Sequence, residues 1–218
     1  MKAIQKHQFY FYLVSAFIIS ALVLIATFEK ADLHLQINQY QSPFFNTFFT
    51  YATKLGEGFG ISIAILALAA LQVRKGLTVA LAAILGGVVS QFFKRIVFGK
   101  TPRPMRFFEE LGEDQLSFVL PIGQMNSYYS FPSGHTTEIF ALCTAIVLCL
   151  PKRRWDVLLA ILAILVGFSR VYLSQHFVED ISAGALLGTI LGIGAHLLMN
   201  TVSPANKKLN YSLLNRSK

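Results

Sequence analysis

Residues Ile181–Met199 read ISAGALLGTILGIGAHLLM, nineteen positions without an Asp, Glu, Lys or Arg. A helix needs about 17–25 predominantly apolar residues to cross the hydrocarbon of a bilayer. Just upstream stand Ser169-Arg170, then His176 after five intervening residues, then Asp180 after three more. An oily span entered through a dense polar group is the pattern of a membrane protein with a polar site at the bilayer surface. Five more apolar runs precede it, at Phe9–Phe28, Gly58–Val73, Leu77–Val97, Thr136–Leu150 and Trp155–Leu173. The second and fourth are short and must borrow flanking residues to span.

Composition agrees. Of 218 residues, 54% are hydrophobic and 14% charged, and mean hydropathy is +0.55. A soluble domain carries about 25% charged residues. The expected fold is therefore all-α: a polytopic membrane protein, a six-transmembrane-helix bundle over residues 1–203, with a basic cytoplasmic tail over 204–218. The run Phe9–Phe28 exceeds a signal-peptide core, and Phe28-Glu29-Lys30 is no small-residue cleavage site, so it is kept as a helix.

Lysine and arginine placement gives an orientation. With the N-terminus in the cytoplasm, the inner side holds Lys2, Lys6, Arg74, Lys75, Lys152, Arg153, Arg154, Lys207, Lys208, Arg216 and Lys218. The outer side holds Lys30, Lys54, Lys94, Arg95, Lys100, Arg103, Arg106 and Arg170. The inner charges flank helices in short loops, whereas most outer ones cluster in one stretch, as an anion site would require. The formal charge of +8 then needs no nucleic-acid partner. Cys143 and Cys149 lie six apart in one span, a rise of about 9 Å, beyond disulfide reach. They read as core filler.

The loops carry two further signals. The stretch Pro43–Tyr51 spaces its aromatics as a short helix lying in the outer interface, or covering the ends of neighbouring spans. The longest loop, from about Phe98 to Phe131, holds Arg103-Pro104, an acidic patch (Glu109, Glu110, Glu113, Asp114) and several aromatics. Loops of this length are often functional. Gly86, Gly87, Gly184, Gly188, Gly192 and Gly194 read as close-packing positions between helices. His7, His34 and His196 read as plain interfacial residues.

The polar groups fall on one membrane face. Lys94 and Arg103 lie at the outer end of the third span, Ser133 and His135 at the outer start of the fourth, and Arg170, His176 and Asp180 between the fifth and sixth. Inverting the topology would move them all together. Phosphoryl transfer spreads negative charge over the transferred oxygens, so catalysis is positioning and electrostatics. Lys94, Arg103 and Arg170 supply positive charge. Ser133-Gly134-His135 opens a helix whose first N–H groups favour an anion. His176 and Asp180, four apart, share a face if the sixth helix begins that early. The carboxylate then fixes the imidazole tautomer and frees the other nitrogen for attack, and His135 is placed to protonate a leaving oxygen. A metal site lacks the carboxylate-rich or thiolate partner set it would need.

These residues resemble the type 2 phosphatidic acid phosphatase (PAP2) family, whose pattern is Lys-x6-Arg-Pro, then Pro-Ser-Gly-His, then Ser-Arg-x5-His-x3-Asp. The second part is complete as Pro132-Ser133-Gly134-His135. The third is complete as Ser169-Arg170, His176 and Asp180. The first departs: Lys94 to Arg103-Pro104 gives Lys-x8-Arg-Pro, with the extra residues expected as a bulge within Phe98–Pro102 and Arg95 as the fallback for Lys94. The resemblance implies His176 as the nucleophile that forms a phosphohistidine, Asp180 as its orienter and His135 as acid and then base. It implies Lys94, Arg103, Ser133, Gly134 and Arg170 as the phosphate-binding set, with no metal and no cofactor. It also implies a phosphorylated lipid as substrate, such as undecaprenyl diphosphate, phosphatidylglycerophosphate, phosphatidic acid or lipid A. No obligate protein partner is evident. Short loops and a compact chain point to a bacterial cytoplasmic membrane, with the site facing the periplasm or exterior. Three rivals share some of these features: a lipid phosphotransferase, a non-catalytic lipid-anion transporter or binder, and an intramembrane serine protease built on Ser133. The last gives no reason for Arg103, Arg170 and Asp180.

Overall fold

The computed structural model describes residues 2–112, 116–120, 125–202, 209 and 212. Nearly all of the basic tail expected at 204–218, and Glu113 and Asp114 of the acidic patch, lie outside the described residues. In chain order the helices are α1 Lys2–Lys6, α2 Gln8–Thr27, α3 Lys30–Asn38, α4 Pro43–Lys54 and α5 Gly58–Leu71. Then come α6 Val73–Phe92, α7 Pro104–Leu111, α8 Gly134–Cys149, α9 Asp156–Tyr172 and α10 Val178–Val202. The described residues form no strand, only an isolated antiparallel bridge between Pro102 and Tyr128.

Helices stand at all six places the apolar runs mark. Four are long and apolar enough to cross a membrane: α2, α6 with its continuation to Val97, α9 with the turn before it, and α10. A fifth crossing exists if α4 and α5, bent by 53° at the break between them, count as one. The sixth place is α8, only 16 residues long. That is about 24 Å of helix against a hydrocarbon thickness of about 30 Å.

α8 can be short because it lies at the centre. Residues Ile139–Leu148 are all buried, so the helix is apolar on every face and meets protein rather than lipid. The neighbouring helices turn large apolar side chains outward: Ile19 and Leu22 on α2, Ile84 and Val88 on α6, Leu158 and Ile161 on α9, Leu186 and Ile190 on α10. In water such a surface would be a liability; against acyl chains it is the expected exterior.

Glycine sets the closest approach. A Cβ at Gly184, Gly188 or Gly192 of α10 would sit 2.8 Å from Ser133 O, 2.3 Å from Thr137 O or 2.6 Å from Ala141 O of α8. α10 therefore lies along the α8 backbone through a stripe of small residues, as tight membrane helix pairs do. Gly86 and Gly87 of α6 likewise leave room for Glu138. Gly194 faces open space, with nothing packed on it among the described residues.

The segment between α2 and α5 is more structured than its sequence pattern implies. It holds two helices, α3 and α4. Ser42 caps α4 by accepting from Phe45 N at 3.4 Å, and Pro43 follows at the first helical position. One face of α4 packs on α9, where the Phe49 and Tyr172 ring centroids are 4.5 Å apart. The other face turns Phe44, Phe48 and Tyr51 outward. Two histidines expected at the interface are instead buried: His7 is 0% exposed and His34 is 1% exposed. Each finds polar partners inside, which is what makes its burial tolerable.

Candidate active site

Three helix ends meet at one end of the bundle. The first turn of α10 docks on the start of α8 through Ser133 N donating to Asp180 O at 3.0 Å. The close α8–α10 crossing fixes this docking, because Gly184 leaves no room between Ser133 and its own backbone. The turn between α9 and α10 closes on itself as the N–H groups of Gln175 and His176 both donate to Arg170 O.

The helix α10 begins at Val178, two residues after His176. The His176–Asp180 pair forms all the same. Asp180 is the third residue of the helix and reaches back to accept from Phe177 N at 2.8 Å, the return half of a capping box. The same oxygen, Oδ2, then faces His176 Nδ1 at 3.2 Å and receives the Ser130 hydroxyl at 2.5 Å. Helix capping, rather than a shared helix face, aims the carboxylate. With Nδ1 committed to Asp180, Nε2 carries the lone pair and has no hydrogen-bond partner among the described residues. Burial, then the positive charges of Arg103, Lys94 and Arg170, with His135, hold the His176 imidazole well below the ordinary histidine range. It is therefore neutral near pH 7, the nucleophilic form.

Three cations surround it. Lys94 is 4% exposed, Arg103 9% and Arg170 7%. Lys94 sits in a π-helical turn, Phe93–Val97, that continues α6. A turn of this kind takes up an extra residue inside a helix. Just beyond it, Gly99 at φ +65 makes a left-handed exit within the stretch Phe98–Pro102 where the bulge is expected. The result keeps Lys94 inward: a Cβ built on Gly134 would lie 3.8 Å from Lys94 Nζ. Arg95 turns outward, its guanidinium 5.5 Å from the Tyr129 ring centroid.

Arg103 is held by the loop that precedes α8 and by the turn between α9 and α10. Its N–H donates to Ser127 O at 2.9 Å, Nε to Tyr128 O at 3.1 Å and Nη1 to Gln175 O at 3.3 Å. Arg170 donates from Nη1 to Thr53 Oγ1 at 2.7 Å, and its Nε is buried without a partner among the described residues. Gln175 Nε2 is likewise buried and unpaired. Unmet donors beside a cluster of buried cations are what an incoming anion would satisfy.

The start of α8 adds backbone donors. Ser133 caps no amide with its side chain; its hydroxyl accepts from Thr136 Oγ1 at 2.9 Å instead. The first-turn amides are therefore left for a ligand. His135 is more open than His176: its side chain is 36% exposed, and its Nε2 lies 3.8 Å from Glu57 Oε1.

The eight residues marked in the sequence therefore converge. Those the motifs do not mark are Thr53, Glu57, Ser130 and Gln175. Ser130 and Gln175 adjoin the motifs, so proximity was a usable signal. Thr53 and Glu57 come from the α4–α5 break, more than seventy positions from Ser133, and nothing local flags them.

A family model described as the PAP2 superfamily matches residues 75–204. The chain is 26% identical over 195 residues to an undecaprenyl-diphosphatase of Sulfolobus acidocaldarius, covering 85% of this chain and 88% of that one. Among solved structures it is similar to Aquifex aeolicus LpxE, with 29% identity, a TM-score of 0.65, and coverage of 78% of this chain and 97% of that one. A transmembrane PAP2-type phosphatidylglycerolphosphate phosphatase of Bacillus subtilis shares the fold at 22% identity and a TM-score of 0.56, over 91% and 98% of the two chains. The three motifs, the buried cationic cluster and these similarities agree: the chain belongs to the PAP2 superfamily and is an all-helical membrane phosphatase.

Proposed function

We propose that the protein hydrolyses a phosphorylated membrane lipid through a phosphohistidine at His176. The observation that carries this is a buried imidazole with one free nitrogen, faced by three buried cations. His176 Nε2 attacks phosphorus while Asp180 and Ser130 hold the Nδ1 side. Lys94, Arg103, Arg170 and the amides at Gly134 and His135 take the charge on the non-bridging oxygens. The bond to the lipid oxygen breaks as His135 gives that oxygen a proton. The now neutral His135 then takes a proton from water, the hydroxide attacks the phosphohistidine, and inorganic phosphate leaves with His176 restored. The shape of the molecule supports a site at one membrane surface. The lysine and arginine pattern favours the outer one, in the cytoplasmic membrane of a bacterium.

The test is phosphate release in detergent across phosphatidic acid, phosphatidylglycerophosphate, lipid A and undecaprenyl diphosphate, together with rapid acid-free trapping of labelled protein. The expected result is release from at least one lipid and a base-stable, acid-labile phosphoprotein absent from His176→Ala. Turnover retained by His176→Ala would remove the mechanism.

A further inference from the structure

Glu57 lies outside all three motifs, yet its carboxylate reaches the site. It stands at the N-cap position of α5, at the bend after α4, without using its side chain to cap the helix. That bend is fixed on both sides. Gly56 is wedged against α9, where a Cβ would sit 2.6 Å from Val166 Cγ1. Thr53, one turn earlier, is tied to Arg170. So the α4–α5 break delivers two polar groups at once, and Glu57 Oε1 comes to rest 3.8 Å from His135 Nε2.

Its position along the reaction axis follows from burial. His176 and Asp180 are each 1% exposed and form the closed end. His135 and Glu57 side chains are 36% and 48% exposed and form the open end. In-line displacement puts the nucleophile and the leaving oxygen on opposite sides of phosphorus. With His176 at the closed end, the lipid oxygen leaves at the open end, beside His135 and Glu57.

The charges there are unequal. Burial, and then Arg170, Lys94 and Arg103, all oppose a proton on His135. Glu138, on the same helix, points its carboxylate at Gly87 of α6 and acts on Lys94. Among the described residues, Glu57 is the carboxylate within ion-pair distance of His135.

We propose that Glu57 is a positioning residue of the leaving-group side that makes this site select phosphate monoesters of neutral lipid alcohols over lipid diphosphates. The inference rests on the phosphatase function proposed above. An alcohol is a poor leaving group and needs the proton that Glu57 helps His135 keep. A diphosphate expels a lipid monophosphate, which leaves without that proton and carries negative charge towards Glu57. Both effects act in one direction. This sets the chain apart from the diphosphatase activity named for its Sulfolobus acidocaldarius relative.

The experiment compares kcat/KM for a polyprenyl monophosphate and a polyprenyl diphosphate of the same chain length, on wild type, Glu57→Gln and Glu57→Asp. Wild type should prefer the monophosphate. In Glu57→Gln the diphosphate-to-monophosphate ratio should rise about tenfold, the size of one unit charge acting across a partly solvated gap. Glu57→Asp should restore most of the wild-type ratio. Because each ratio comes from one preparation, misfolded protein cancels. Equal losses on both substrates, or an unchanged ratio, overturn the role of Glu57 and leave the phosphatase function standing. A wild type that prefers the diphosphate overturns it too. A wild type that releases phosphate from neither overturns the selectivity, and the phosphatase function falls with it only if the four lipids named above release none either.

Discussion

The bundle holds a buried histidine–aspartate pair at each end, and the two are built for different ends. At the active-site end His176 Nδ1 faces Asp180 Oδ2 at 3.2 Å. At the opposite end His7 Nδ1 lies 2.7 Å from Asp156 Oδ1, with both side chains at most 1% exposed. His7 spends its second nitrogen as well, donating from Nε2 to Leu150 O at 3.2 Å. It thereby ties the α1–α2 break to the end of α8 and the start of α9. His176 leaves its second nitrogen unused and faces Lys94, Arg103 and Arg170. An imidazole with both nitrogens committed is a clamp. One with a single nitrogen committed, among buried cations, suits the nucleophile's role proposed for it.

The sharpest way to break this contrast is to remove each histidine. His176→Ala should lower phosphate release by at least about 10³-fold without unfolding the protein. His7→Ala should keep turnover within about threefold but lower the unfolding midpoint in detergent, because opening a buried pair costs about 3–5 kcal/mol. A His7→Ala protein that is stable and inactive would end the distinction. Next in size is the cation set. Lys94→Met should lower kcat/KM by about 10²–10³, the usual loss for a transition-state donor. Arg95→Met, one residue along and turned outward, should change it by no more than about twofold. A reversed order would mean that the π-helical turn does not present Lys94 as described. Among the residues that hold the site, the smallest effect belongs to Thr53. Thr53→Val removes the hydroxyl that accepts from Arg170 and should cost about tenfold in kcat/KM, as the loss of a hydrogen bond to a charged group does. An effect confined to thermal stability would make Thr53 a packing residue only.

Part of the site is legible because its spacing is local. Pro132 stops the helix from extending backward, so Gly134 and His135 open it, and Asp180 must lie within reach of His176 whether the helix begins at 176 or at 178. The small-residue stripe Gly184, Gly188, Gly192 announces a close helix contact, though not which helix receives it. Other features give no local signal. The segment from Ala31 to Gly58 reads as an aromatic interfacial stretch, and nothing in it marks Thr53 or Glu57 as neighbours of Arg170 and His135. The two-residue excess between Lys94 and Arg103 is visible, but a π-helical turn and a loop bulge are indistinguishable by count. His7 and His34 read as surface residues because their partners, Asp156 and Ser174, are more than a hundred positions away.

By itself, then, the sequence determined an oily, all-helical membrane protein with phosphate chemistry gathered at one face. Hydrophobic run length and short-range spacing are properties of the chain, and they survive without knowing what packs on what. Only the tertiary structure decided that α8 is the central helix, that Lys94 rather than Arg95 turns inward, and that the α4–α5 break completes the site with a threonine and a glutamate. Those outcomes depend on which helices touch. Contacts are set by glycine clearances, buried pairs and long-range docking, whose free energy appears only when distant segments meet.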